Sequence, residues 1–193
     1  MQRHLYLLAL PAAALVAAAG TACATGTAKP SAVPVPPTIS PTISPTTRGQ
    51  MSAQDRNWLT EIHQANLAEV EMGDIAQKKG STPAVRSAGR TLATEHTDFD
   101  AKVTRVAGRL GVSLPPALAP ADAAAANRLR GETGKTFDQD FLATMVSGHE
   151  KAIADTKAQI AQGSSPQVIA LAKEALPDLR KHLAMLKKAQ ASG

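Results

Sequence analysis

From Ser52 onward, apolar residues recur at every third or fourth position and nowhere alternate, which predicts helices and no strands. A first helix is expected over about Ala53 to Lys79. It starts behind Ser52 with Asp55 in its first turn, and it stops at Lys78, Lys79 and Gly80. A second starts at Thr82-Pro83, where proline suits the first turn, and ends near Leu110-Gly111. Its inner stripe reads Val85, Gly89, Leu92, His96, Phe99, Val103, Val106 and Leu110. Three prolines between Leu114 and Pro120 demand a loop, and a short alanine-rich helix follows from Ala121 to about Leu129. A third long helix, Thr136 to Gln162, turns Leu142, Val146, His149, Ile153, Thr156 and Ile160 inward. The fourth, capped near Ser165-Pro166, presents Val168, Ala172, Ala175, Leu179, His182 and Leu186, and Pro177 should kink it.

Four long helices with two short connections and one longer crossover imply an all-α domain over 51–193. The expected architecture is an up-down-up-down four-helix bundle with one short extra helix in the crossover. Trp58, Met72 and Met145 fall at helical spacing and read as core.

The histidines change this picture from a fold into a candidate site. Four of the five fall one to each long helix: His63, His96, His149 and His182. Measured along such a bundle, all four lie about 13 to 16 residues from one end, a layer about 5 Å thick at about 1.5 Å per residue. His96, His149 and His182 sit on the apolar stripes themselves, and His63 sits at the edge of its own, in line with Leu59, Asn66 and Val70. Glu69, in register with Ile62, Ala65, Met72 and Ala76, brings a carboxylate to the same inner face, about one to two turns above that layer. Imidazoles converging inside a bundle beside a carboxylate suit copper, zinc or iron. The plainer use of the same residues is as hydrogen-bonded core groups, with Glu69 as their partner.

The segment before the bundle speaks of destination. Met1 to His4 carries Arg3, and Leu5 to Ala19 is an apolar run ending in small residues, the layout of a signal peptide over 1–22. Gly20-Thr21-Ala22-Cys23 can be read as a lipobox, with Cys23 lipidated and holding the chain to a membrane. Ordinary cleavage after Ala22-Cys23-Ala24 is the alternative, which Gly20 favours because lipoboxes prefer a larger aliphatic residue there. Residues 23–50 are rich in Pro, Thr and Ser, with Pro37-Thr38-Ile39-Ser40 repeated as Pro41-Thr42-Ile43-Ser44, and read as a tether or a glycosylated stalk. The expected location is thus outside the cytoplasm, on the membrane or secreted.

Composition narrows the function further. With Cys23 as the sole cysteine, the folded domain has no disulfide, thiolate metal site or cysteine nucleophile. Three Phe, one Trp and one Tyr cannot build stacking platforms for nucleic acid, and the net charge of +5 is mild. Gly134-Lys135-Thr136 lacks the earlier glycine and the strand of a phosphate loop. His149-Glu150 opens like a zinc-protease motif, but Ile153 stands where the second histidine belongs. Ala93 and Leu179, three residues before His96 and His182, exclude the usual di-iron carboxylate pattern. Exposed Lys173, Arg180, Lys181, Lys187 and Lys188 form a solvated face on the last helix that complements its C-terminus.

Short motifs at Ala68-Glu69-Val70-Glu71-Met72-Gly73, Glu95-His96, Leu114-Pro115, Thr136-Phe137-Asp138, Met145-Val146 with His149, and Leu176-Pro177 with His182-Leu183 stand in one order. In these the chain resembles the bacterial family called domain of unknown function 4142, over about Gln54 to Lys188. The resemblance implies a ferritin-like helical bundle, exported or lipid-anchored, and matches at Glu69, His96, Phe137, Asp138, His149, Pro177 and His182. Gly148 departs from it, a side chain, often acidic, being expected before the helix-three histidine. The expected function is therefore a binding protein rather than an enzyme, holding a metal ion or small ligand at His96, His149 and His182, with Glu69 or His63. A structural module partnering another envelope protein is the first alternative, and a metal-dependent oxidoreductase the second.

Overall fold

The computed structural model describes residues 51–192. The signal segment 1–22, Cys23 and the tether to residue 50 lie outside them. Among the described residues there are five helices and no strand: α1 (Ala53–Lys79), α2 (Pro83–Arg109), α3 (Pro120–Gly131), α4 (Gly134–Gln162) and α5 (Pro166–Ala191). None of these helices of the described residues is long and apolar enough to cross a membrane.

The caps explain where these helices begin. Ser52 accepts from the Asp55 amide while the Asp55 carboxylate accepts from the Ser52 amide, a reciprocal capping box for α1. Thr82 and Ser165 cap α2 and α5 in the same way as side-chain acceptors, each followed by a proline in the first turn. Helix α5 runs on through Pro177 to Ala191.

Helix α1 packs chiefly on α2, and α4 on α5, while α1 with α4 and α2 with α5 close the square. The direction of α4 follows from its contacts. Asp138, near its start, accepts hydrogen bonds from Ser81 and Thr82 in the α1–α2 turn. Gln159, near its end, reaches Asp55 at the start of α1. Helix α4 therefore runs parallel to α2, and the order is up, down, down, up rather than the expected up-down-up-down. The physical reason is the crossover: its proline-rich stretch and the 12 residues of α3, about 18 Å of helix, climb the outside of the bundle against α1 and α4. One full-length crossover between two antiparallel hairpins is the ferritin-like arrangement. The all-α bundle and the extra helix in the crossover stand as expected.

The two hairpins repeat each other in sequence. At one constant offset, Asp55 matches Asp138, Trp58 matches Phe141, Leu59 matches Leu142, and Gly80-Ser81-Thr82-Pro83 matches Gly163-Ser164-Ser165-Pro166. The two aspartates do matching work, each binding the turn of the other hairpin. Asp138 thus serves the N-terminus of α2 rather than only the dipole of its own helix. At the crossing of α1 and α2, Gly73 and Gly89 lie face to face. A Cβ on Gly89 would stand 2.6 Å from the Gly73 carbonyl oxygen, so side chains are excluded from both.

The apolar interior is divided. One cluster, around Met72, Leu92, Phe137, Phe141 and Leu186, fills the end near the α1–α2 turn. Another, around Trp58, Leu59, Val103 and Val168, fills the opposite end. Between them lies a buried polar layer.

Candidate metal centre

Three imidazoles form that layer. The rings of His96, His149 and His182 have centroids 5.6, 5.1 and 5.5 Å apart, almost an equilateral triangle. All three are buried, His149 completely. They come from α2, α4 and α5, and Glu69 enters from α1, so each long helix contributes one side chain.

Each ring is held by its outward nitrogen. Nδ1 of His96 donates to the Asn66 Oδ1 at 2.9 Å, Nδ1 of His149 to the Met145 carbonyl at 2.9 Å, and Nε2 of His182 to the Glu95 carboxylate at 2.8 Å. The Asn66 amide is oriented in turn by donating to Asp100. Anchoring the outward N–H fixes the tautomer and turns the other nitrogen inward as a lone pair. The inward atoms, His96 Nε2, His149 Nε2 and His182 Nδ1, are buried and have no hydrogen-bond partner. One donor atom from each lies within 4.8 Å of the others.

Glu69 completes the set. Its Oε2 stands 2.7 Å from His96 Nε2 and 3.4 Å from His149 Nε2, near enough for charge interaction but not aligned as a hydrogen bond. Burial pushes the Glu69 carboxyl up, yet the imidazoles of His96 and His149 outweigh burial and hold it below its ordinary range. Burial likewise pushes His96 down, and the Glu69 carboxylate outweighs it and raises the ring above its ordinary value. His182 is lowered, by burial and by the two neighbouring imidazoles, against the pull of Glu95.

His63 is not brought into the cluster. Its Nδ1 faces Asp100 at 2.8 Å and its Nε2 the Pro115 carbonyl at 2.9 Å. Both ring nitrogens are taken up by these contacts, and His63 ties the crossover to α1 and α2 instead. The anchors Asn66 and Glu95 were missed as members of the site. The signal that could have found them is spacing: Asn66 precedes Glu69 by one turn of α1, and Glu95 is the neighbour of His96 in sequence.

A groove of about 380 Å³ between α1 and α4 reaches Glu69 from outside, with Ala65, Met145 and Gly148 on its walls and Asp122 also lining it. Burial raises the Asp122 carboxyl, and the Glu69 charge adds to that.

Fold and site together define a helical bundle with a buried cluster of three histidines and one carboxylate. The chain belongs to the family described as Domain of unknown function (DUF4142), whose model matches residues 40–189. A crystal structure of a DUF305 fragment from Deinococcus radiodurans is similar in fold, with a TM-score of 0.66 at 16% identity, over 74% of this chain and 99% of that one. No curated protein matches the chain.

Proposed function

We propose that this protein binds a divalent late first-row transition ion, zinc, copper or iron, through His96, His149, His182 and Glu69. The observation that carries the reading is the set of three anchored imidazoles whose remaining nitrogens converge in the buried interior, two of them on the Glu69 carboxylate, with none aligned in a hydrogen bond. Lone pairs and a carboxylate converging at low dielectric repel one another until a proton, as favoured on His96 beside Glu69, or a metal cation sits among them. Three imidazoles and one carboxylate are a borderline donor set that such ions favour, and the outward hydrogen bonds supply the supporting shell a metal site needs. Bonds of about 2.0–2.1 Å place tetrahedral neighbours about 3.4 Å apart, so the nitrogens close in by on the order of 1 Å on binding.

All four donors lie inside the bundle, which suits holding or sensing an ion rather than turning over a substrate on it. The proposed setting is the cell envelope, with the leader removed and Cys23 lipidated so that the tether holds the bundle off the membrane. Labelling with a radioactive fatty acid, lost in Cys23→Ala, tests the anchor.

The metal reading is tested by elemental analysis of the chain purified without a histidine tag, followed by thermal melts with Zn²⁺, Cu²⁺, Fe²⁺ and chelator. The expected result is close to one ion per chain and a melt raised by metal. Affinity should fall by about 100-fold or more in His149→Ala and about 10- to 100-fold in Glu69→Gln. Absence of metal, with melts indifferent to every ion, sinks the proposal.

A further inference from the structure

The cluster is buried, so an ion needs a way in, and the groove between α1 and α4 leads to it. Glu69 is the part of the cluster that lines this groove. It is 5% exposed, and its Oε2 has no hydrogen-bond partner and touches two of the imidazoles. Two other surface pockets contain none of the four donors.

The charge of the groove suits a cation. Lys151 is neutralised by Glu61 at 3.0 Å and by Asp155 at 2.5 Å, all three lining the groove. Half-buried Asp122 and the deeper Glu69 therefore leave the lining net negative.

Gly148 supplies the space. It stands in the middle of α4, exposed, where glycine weakens a helix relative to alanine. Neither a positive φ nor a close neighbour requires it, since a Cβ built there meets nothing within 4 Å. Open room beside the groove is what the absent side chain provides. Ala65 faces the same groove from α1.

We propose that this groove is the access route by which a divalent metal ion reaches the histidine cluster. Asp122 meets the ion near the surface, Glu69 hands it to the imidazoles, and Gly148 keeps the passage clear. The inference rests on the metal reading above and adds the path and its gatekeepers.

The test uses the full chain and Co²⁺ as the probe, its visible absorption followed by stopped flow on mixing and on chase with chelator. The variants are Gly148→Ala, Gly148→Phe, Ala65→Phe and Asp122→Asn, each checked for helix content and melting. In both phenylalanine variants, association and release should slow together by about tenfold or more while the equilibrium affinity stays within about threefold. Gly148→Ala should stay within about twofold of wild type, and Asp122→Asn should slow association at low salt. Unchanged rates in both folded phenylalanine variants overturn the route, as does a lost affinity with unchanged association. No cobalt bound by the wild type at equilibrium overturns the metal reading and the route with it.

Discussion

Replacing Asp55 by Asn should remove a large share of the stability of the bundle. Its carboxylate is fully buried and accepts from six donors: the Ser52 amide and hydroxyl, the Ser164 amide and hydroxyl, the Ser165 amide and the Gln159 side-chain amide. Asparagine keeps one acceptor oxygen: with it at the Oδ2 position, where the serine donors converge, its NH₂ group meets the Gln159 amide donor to donor, and the remaining bonds lose the charge that strengthens them. Bonds to a charged group are worth about 1.5–3 kcal/mol each, and those at Ser52 and Ser164 can be recovered in part by water. The summed loss is then about 3–5 kcal/mol, against a total of about 5–15 kcal/mol for a domain of this kind. That corresponds to a melting point lower by about 10 °C.

The same site sets a pH signature. Burial pushes the Asp55 carboxyl up, but the hydrogen bonds from Gln159, Ser164 and Ser52 outweigh it and hold it well below the ordinary carboxylate range. A carboxyl depressed in the folded state contributes its full stability above its unfolded pKa, about 3.9, and loses it as pH falls through the folded value. Urea titrations followed by helix circular dichroism should therefore show no Asp55-dependent slope between about pH 7 and 5, and a decline below about pH 4 that is shallower in Asp55→Asn. A variant within about 1 kcal/mol of wild type, with the same acid limb, would refute the reasoning.

Two further outcomes are expected. Gly89→Ala forces a Cβ to 2.6 Å from the Gly73 carbonyl and 2.8 Å from the Ala76 Cβ, and should cost about 2–4 kcal/mol in urea unfolding. Gly108→Ala, with nothing within 4 Å in the same helix, should gain up to about 1 kcal/mol, and equal effects at the two positions would disprove the close approach. His63→Phe gives up the bonds to Asp100 and Pro115, so the melt should fall by the equivalent of about 1–3 kcal/mol, while metal affinity stays within about threefold. A collapse of affinity in that variant would place His63 among the ligands.

The helices were legible because their punctuation is local. Ser52, Thr82-Pro83, Gly80 and Ser165-Pro166 carry their cap chemistry in adjacent residues, and the structure begins or ends helices at each. The direction of α4 was not legible, because it depends on how far a proline-rich loop and a 12-residue helix climb. The height of His149 could not reveal the error. His149 lies near the middle of α4 and keeps nearly the same height whichever way the helix runs. His63 passed the same height test and failed on partners, since Asp100 and the Pro115 carbonyl become its neighbours only when α2 and the crossover fold onto α1.

The repeated hairpins show why the site is single although the scaffold is double. The ends of the bundle keep the repeat: Asp55 and Asp138 both bind glycine-serine turns of the opposite hairpin, and Val85 and Val168 are both fully packed behind those turns. In the middle layer the repeat breaks at every position that matters. His149 faces the offset of Asn66, His96 that of Leu179, His182 that of Phe99, and Glu69 that of Ala152. A symmetric duplicate would bury two equal sets of imidazoles or none. Here one half gives the carboxylate, one histidine and its amide anchor, and the other gives two histidines. Neither hairpin holds enough donors alone, so an ion bound at the cluster ties the two together across the interface that the aspartate clasps already align. Such an ion would oppose separation of the hairpins as well as unfolding, and raising the melt through metal is then a measure of that cross-link.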